Sequence, residues 1–521
     1  MSASAGGDVL GTEATPRPAL RRLARGVTAN LIGVAVTAVA TFGITIAVTR
    51  SLVPSDAGIF FATTSLFLLA NAIGQLGTQT GLVYFLPRAR AQGRRQLIST
   101  YLRVALRPVI AVAVALAAVM LITAPQLAEL ISSDHAETTA AYLRVLALFI
   151  PFAAFEMVVL AATRGFGTMR PYASIELIGR PIFQLALVAV VAFAGSNVAM
   201  GAAWGLPYLP AAALAWFWWR RLLGEIDRPP DADQPAVSVT GDFWRFSAPR
   251  AFTSVAQIVM QRFDIVLVAA LAGAVEAAIY AAATRFVVVG QFGNNAISLA
   301  AQPRLAEALA HDNRADAGQI YRVATAWLMT LTWPLYLTML IFGSVLLRVF
   351  GDGYSTGSGV LVLLALAMLF STACGMVEMV LSMAGKTLWN MLNMIVALAV
   401  QLAIDIWLIP EHGVMGAAIG WSAAIVVRNV AALIQVMLAL GLHPLGRVTA
   451  MAGGLVVVTC FLSLGLARLV LHTSVLGLVA GLVASGVLYS IGLWRLRVPL
   501  RLGALVAVRR RGRESTEPSP S

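Results

Sequence analysis

Cysteine occurs only twice in the 521 residues, at Cys374 and Cys460, and both lie within long apolar stretches. Two isolated thiols in such places form neither a disulfide framework nor a thiolate metal site, which argues against a redox role. Lysine is scarcer still, with Lys386 the one lysine among 37 basic residues. Charge of either sign is short: 12% of the chain is charged, against about 25% for a soluble protein, while 59% is hydrophobic. That balance excludes a water-soluble fold. Catalytic patterns are missing as well. MAGKT (383–387) contains GKT, but the first glycine of a phosphate loop would fall at Val380, and no strand pattern precedes it. No HExxH, metal-ligand cluster or nucleophile–base set occurs. The outer loops are too short to hold the catalytic domain of a membrane glycosyltransferase. The chain is therefore expected to be no enzyme and to need no cofactor.

What the sequence has instead is apolar runs of about 20 residues, the length that crosses a bilayer core of roughly 30 Å. Fourteen are found, near 27–49, 59–86, 104–124, 140–163, 173–195, 198–219, 246–272, 275–301, 321–343, 359–383, 387–409, 414–440, 448–470 and 475–495. The N-terminal stretch runs straight into a full-length span without a cleavage site, so the first helix is expected to stay. The net charge of +13 suggests a polyanion partner only until the charges are placed. Alternate loops gather Arg21, Arg22, Arg88, Arg94, Arg220, Arg221 and Arg509 to Arg511 on one side, leaving Arg50, Arg144, Arg348 and Arg468 on the other. This positive-inside asymmetry puts both termini in the cytoplasm and removes any need for nucleic acid.

The chain also repeats itself. DAGIFFAT (56–63) matches EAAIYAAA (276–283), and LGTQTGLVYFLPRA (76–89) matches FGNNAISLAAQPRL (292–305). EMVVLAATR (156–164) matches EMVLSMAGK (378–386), and MGAAWG (200–205) matches MGAAIG (415–420). Four ordered matches at offsets of 215–222 make spans 1–6 and 7–12 duplicates. Six spans per copy insert both copies in the same sense, an arrangement typical of alternating-access transporters with a site between the halves. The expected fold is an all-α polytopic membrane protein of about 14 transmembrane helices: two parallel six-helix repeats, related by a pseudo-twofold along the membrane normal, plus two C-terminal helices. Its parts are a basic tail (1–26), a first lobe (27–219), a cytoplasmic linker (220–243), a second lobe (244–440), spans 13 and 14 (441–495) and a basic tail (496–521).

The 12+2 layout and the stretch FSAPRAFTSVAQIVMQRFDIVLVAALAGAVEAAIYAAATRF (246–286), followed by QPRLAEALAHDN (302–313), carry a resemblance. They resemble the polysaccharide-flippase branch of the multidrug/oligosaccharidyl-lipid/polysaccharide exporter superfamily, over about residues 25–440. The resemblance implies that spans 1, 2, 7 and 8 line a central cavity, and that spans 13 and 14 help seat a lipid tail, as in lipid II flippases. It implies a bacterial plasma-membrane protein that carries a polyprenyl-pyrophosphate-linked oligosaccharide from the inner to the outer leaflet. Such a role implies membrane lipid, and a glycan polymerase or glycosyltransferases of the same pathway, as partners. A multidrug antiporter of the same superfamily is the alternative, and a membrane glycosyltransferase a more distant one.

In span 7, Arg250, Ser254, Gln257, Gln261 and Asp264 fall within an arc of about 80° at 100° per residue. Their counterparts 220 residues earlier include Asn30, Thr37 and Thr41. Gln75 and Gln79 in span 2 match Gln291 and Asn295 in span 8, and Asn71 and Asn294 join the same regions. Amides facing lipid lack partners, so the matched set is expected to face inward, lining a wet cavity or joining helices by hydrogen bonds. Arg262 lies off this stripe. Arg262 and Arg285 lie about equally far from the hairpin at Gly273, roughly 15 Å by helical rise, near the bilayer midplane. A charge at that depth costs at least about 2.5–3.5 kcal/mol. Either Asp264 neutralises one arginine, or the surplus positive charge holds an anion, for which a guanidinium fork suits phosphate oxygens. Arg250 at the cytoplasmic entrance and Arg428 within span 12 are further pyrophosphate candidates. Glu176 and Arg180 read as an ordinary i,i+4 ion pair. Glu156 and Glu378 are paired by the repeat and are candidates for ion coupling, with a salt bridge to a facing helix as the alternative.

Overall fold

The computed structural model describes residues 17–94, 96–194, 197–224 and 239–498. Most of the expected linker, the tails up to residue 16 and beyond residue 498, and with them Arg509 to Arg511, lie outside the described residues. Among the described residues the secondary structure is helical, without a strand.

Among the described residues, thirteen helical stretches are long and apolar enough to cross a membrane. Span 1 is Arg17–Ser51 and span 3 is Gln96–Ile122. Span 2 is the pair Pro54–Gly74 and Thr78–Ala91, and span 4 the pair Ala136–Ala147 and Ile150–Gly165. Span 5 opens as a π-helix, Tyr172–Gly179, and continues as Arg180–Ala194. Spans 7, 8 and 9 are Val239–Ala272, Ala274–Ala310 and Arg314–Leu347; span 10 is Ser358–Ala373 with Val377–Met383. Spans 11 and 12 are Thr387–His412 and Val414–Leu440. Span 13 runs over 447–471 through a π segment, Val457–Phe461, and span 14 is Val475–Arg495. The sixth expected span, 198–219, departs from a single helix. It is Asn197–Gly205 followed by Tyr208–Gly224, because Pro207 has no N–H to continue the ladder.

The π-helix in span 5 has a similar local cause. In an α-helix the carbonyl of Leu177 would accept from residue 181, which is a proline. The hydroxyl of Thr37 on span 1 donates to that carbonyl instead, at 2.7 Å. A polar residue of span 1 thereby satisfies a backbone acceptor of span 5.

Burial separates inner helices from outer ones. The most apolar window of span 2 is 72% buried and that of span 8 is 61%, against 17% for spans 13 and 14, which are peripheral. Spans 13 and 14 lean on span 9, where Tyr489 Oη donates to the Thr330 carbonyl (2.6 Å) and Arg468 Nη1 to that of Ile341 (2.8 Å). Outward surfaces carry Phe193, Leu438 and Leu469, apolar side chains suited to lipid. Span 2 packs along both span 7 and span 8, joining the two halves of the chain.

Away from the termini, the ends of the two halves meet closely. A Cβ on Gly58 would stand 1.7 Å from the carbonyl oxygen of Ala274, so only glycine permits this approach of spans 2 and 8. Nearby, Arg50 donates from Nε to the Val349 carbonyl (2.9 Å) and from Nη2 to that of Arg348 (2.6 Å), crossing from the first half to the second.

Candidate functional site

A cavity of about 720 Å³ opens within the second half, between spans 7 to 12. Its polar lining includes Gln257 and Gln261 from span 7, and Gln291, Asn294, Asn295 and Ser298 from span 8. Ser382, Asn390, Arg428 and Asn429 complete it from spans 10 to 12, with Met368, Met376, Met379, Met391 and Met394 among them. Amide donors and acceptors alternating with pliant thioethers can meet hydroxyls and apolar sugar faces together. The walls are tied by Asn390 Nδ2, which donates to the Glu378 carbonyl (2.8 Å), and by reciprocal amide bonds between Asn393 and Gln435 (2.8 and 2.9 Å).

Two candidates from the sequence meet on this lining. Arg428 and Glu378 form an ion pair at 2.7 Å, with side chains 23% and 47% exposed. Arg428 thus has a counter-ion, and Glu378 makes the salt bridge to a facing helix that was the alternative to ion coupling.

The first-half amides sit elsewhere. Asn30, Thr37, Thr41, Asn71, Gln75 and Gln79 are absent from the lining of this cavity. Thr37 is spent on span 5. Gln79 Nε2 donates to Gln75 Oε1, and Arg164 Nη2 donates to Gln79 Oε1 at 2.9 Å. Asn71 is 7% exposed, and its Oδ1 accepts no hydrogen bond. Thr37 and Gln79 thus bond to neighbouring helices, and equivalence in the repeat does not put the first-half residues on the lining of this cavity. Arg250 folds back on its own helix: Nη1 donates to the Phe246 carbonyl (3.0 Å), and the guanidinium lies 3.6 Å from that ring centroid.

The charges of spans 7 and 8 are arranged more sharply. Asp264 is 2% exposed. Its Oδ2 accepts from Tyr280 Oη at 2.6 Å and its Oδ1 from the Ile265 N–H at 2.8 Å. Neither Arg262 nor Arg285 forms an ion pair or hydrogen bond among the described residues, and Arg285 Nε is buried without a partner. Both arginines lie within electrostatic reach of each other and of Asp264. The Arg285 guanidinium stands 5.8 Å from the ring centroid of Phe61 on span 2, so it faces the first half. Of the two readings of the sequence, a direct ion pair between Asp264 and an arginine is not formed in this conformation: a tyrosine and a backbone amide hold the carboxylate.

Asp405 in span 11 was not among the sequence candidates. It is 0% exposed, has the Gln401 side chain within reach but no hydrogen bond of good geometry, and lies within electrostatic reach of Asp264. Gln401, one turn earlier, spends its Nε2 on the Met260 carbonyl (3.4 Å). A Cβ on Gly420 would stand 2.0 Å from Asp405 Oδ1, so glycine makes room for the carboxylate. An acidic residue in mid-span was the available signal. Among the described residues no group of three or more His, Cys, Asp or Glu could hold a metal ion.

With this geometry in place, the family match is decisive. The model of the polysaccharide biosynthesis protein family matches residues 23–309, more than half of the chain. The chain belongs to this family. The MatE family model also matches, over residues 249–407, which places the chain in the multidrug/oligosaccharidyl-lipid/polysaccharide exporter superfamily. Among solved structures, the fold is similar to the lipid II flippase MurJ in an inward closed conformation, with a TM-score of 0.70 at 12% identity over 90% of this chain and 98% of that one. It is similar to an inward-facing multidrug resistance MATE family transporter, with a TM-score of 0.64 at 16% identity over 81% and 98%. A MOP superfamily transporter from Pyrococcus furiosus shares the fold at a TM-score of 0.54 and 16% identity, over 82% and 96%. No curated protein matches the chain in sequence. At these identities the likenesses establish a polytopic transporter fold, to which the family adds its link with polysaccharide biosynthesis.

Proposed function

We propose that this member of the family is a flippase that moves a polyprenyl-pyrophosphate-linked oligosaccharide between leaflets by alternating access. The observation that carries the reading is the pair Arg262 and Arg285. Both lie about equally far from the Gly273 hairpin and make no close ion pair or hydrogen bond with a carboxylate among the described residues, while Asp264, within electrostatic reach, is held by Tyr280 and Ile265. Two unpaired guanidinium groups in a low-dielectric interior favour an anion with several oxygens, and a pyrophosphate has the charge and the acceptors for both. The amide-lined cavity of the second half, which Gln261 lines but neither arginine does, suits the hydroxyl groups of the glycan. The lipid tail remains in the bilayer and leaves through an opening between the halves. Closure at Gly58 and Arg50, away from the termini, suits a conformation that loads from the terminus side, which the arginine-rich loops favour as the cytoplasmic one.

A multidrug antiporter has one observation in its favour, the match to the MatE family. The unpaired arginines weigh against cationic drugs, whose charge they would repel. The test is transport itself: replace Arg262, Arg285 and Arg250 singly with alanine and follow outer-leaflet appearance of a labelled lipid-linked oligosaccharide. Loss with Arg262→Ala and Arg285→Ala at normal expression supports the reading. Survival of transport in all three variants overturns the anion site.

A further inference from the structure

The first half contains a buried cluster to which the flippase reading gives no task. Glu156 on span 4 is 0% exposed, and neither of its carboxylate oxygens receives a hydrogen bond from a donor. Its neighbour is another carboxylate, Glu176, on the π-helical start of span 5 and within hydrogen-bond reach. Arg180 is already committed. Its Nε and Nη2 both donate to Glu176, and its Nη1 donates to Gln184 Oε1 (3.1 Å) and Tyr208 Oη (3.3 Å). Gln184 donates its Nε2 to the Trp204 carbonyl (2.9 Å).

The other charged or titratable groups are accounted for. Arg164, eight residues along the same span, donates to Gln79 and stands 4.4 Å from the Tyr172 ring centroid; it lies within electrostatic reach of Glu176 but forms no ion pair with either carboxylate. Tyr172 lies within electrostatic reach of Glu176, and Tyr208 of both carboxylates and of Arg262. Arg180–Glu176 is the ion pair of this cluster, and Glu156 is left over.

Two ionised carboxylates only accept hydrogen bonds, so a pair in contact, with no donor available to one of them, needs a proton between them. We infer that Glu156 and Glu176 share one proton in this conformation, forming a proton site in the first half of the transporter. The proton enters from water onto a Glu156 oxygen, which then donates to Glu176, and it returns to water on release. With it bound, the trio Glu156, Glu176 and Arg180 is neutral. Without it, the Glu156 carboxylate is enclosed with no donor of its own beside a second carboxylate already paired to Arg180, which is disfavoured. A metal cation is a poor substitute, because the Arg180 guanidinium repels it. Because Glu176 belongs to the π segment, gain or loss of the proton acts directly on the irregular turn that begins span 5.

The site stands independently of the substrate, so its test uses no substrate. The full chain is purified into lipid nanodiscs, and infrared difference spectra are recorded across a pH titration, following the C=O stretch of protonated carboxyl groups. The wild type should show a titrating carboxyl component that is lost in Glu156→Gln and retained in Asp405→Asn. Glu176→Gln probes the pair from the other side: Glu156 then ionises against Arg180, and the same component disappears. The thermal midpoint offers a second readout. A proton bound by the folded state and released on unfolding makes the wild-type midpoint fall as pH rises through the titration, and Glu156→Gln should flatten that slope. The inference is overturned if the carboxyl component is unchanged in both Gln variants. It is equally overturned if sodium at constant pH abolishes the component as fully as alkali does, which would make the site one for a metal cation.

Discussion

Tyr280→Phe is the perturbation that most cleanly separates the buried carboxylate from the arginines. Tyr280 and Asp264 are 0% and 2% exposed, and the phenol donates to the carboxylate at 2.6 Å. Phenylalanine keeps the ring and its packing while removing the donor. A hydrogen bond to a charged group contributes about 1.5–3 kcal/mol, and a buried acceptor left unsatisfied forfeits that amount. Asp264 keeps the Ile265 N–H, and its remaining demand falls on Arg262 and Arg285, the nearby donors that now lack ion pairs. The thermal midpoint of the purified protein should fall, and affinity for a pyrophosphate headgroup should fall with it as an arginine is drawn to the carboxylate. Adding Asp264→Asn removes the competing charge and should restore headgroup affinity, a non-additive outcome for residues in direct contact. Two results would refute the reasoning: Tyr280→Phe leaving both quantities unchanged, or Asp264→Asn alone weakening headgroup binding as Tyr280→Phe does.

Other perturbations probe different parts of the molecule. Asp405→Asn should change the thermal midpoint little, because burial beside Asp264 favours the neutral carboxyl, which asparagine matches in shape; a large drop would show that the carboxylate is charged and has a bound partner. Arg428→Ala breaks an ion pair whose members are 23% and 47% exposed, so water screens the loss to under about 1 kcal/mol, and a large drop in the midpoint would contradict this assignment. Gly58→Ala should force spans 2 and 8 apart at Ala274. A cysteine placed at the buried Ala277, in a background free of Cys374 and Cys460, should then react faster with a membrane-impermeant maleimide; unchanged labelling would mean that the seam adapts in another way.

The spans were legible because lipid imposes one requirement on every crossing segment, a long apolar run. The break at Pro207 was hidden by apolar residues on both sides of it. The helical period also placed Gln257 and Gln261 correctly on the cavity side of span 7. The first-half counterparts are absent from the lining of this cavity for a physical reason. A duplicated sequence preserves helix positions, but Gln75, Gln79 and Arg164 satisfy one another, and Thr37 is drawn to the carbonyl that Pro181 leaves open. The same reliance on matched pairs hid Asp405, since offsets of 215–222 set Phe183 to Val190 opposite it, with no acid among them. The side-chain choice of Asp264 was beyond the sequence: helical spacing excluded a simple local pair with Arg262, but only the hairpin geometry brings Tyr280 to the carboxylate.

The central claim, that Arg262 and Arg285 hold pyrophosphate, is tested most directly by binding. The affinities of the purified chain for a polyprenyl pyrophosphate and for the uncharged polyprenol of the same length should be compared by native mass spectrometry. Hydrogen bonds from a guanidinium to phosphate, at about 1.5–3 kcal/mol, predict roughly a 10- to 150-fold preference for the pyrophosphate, which Arg262→Ala and Arg285→Ala should each reduce by tenfold or more. Equal affinity for the two lipids, or a preference that survives both substitutions, would contradict the account.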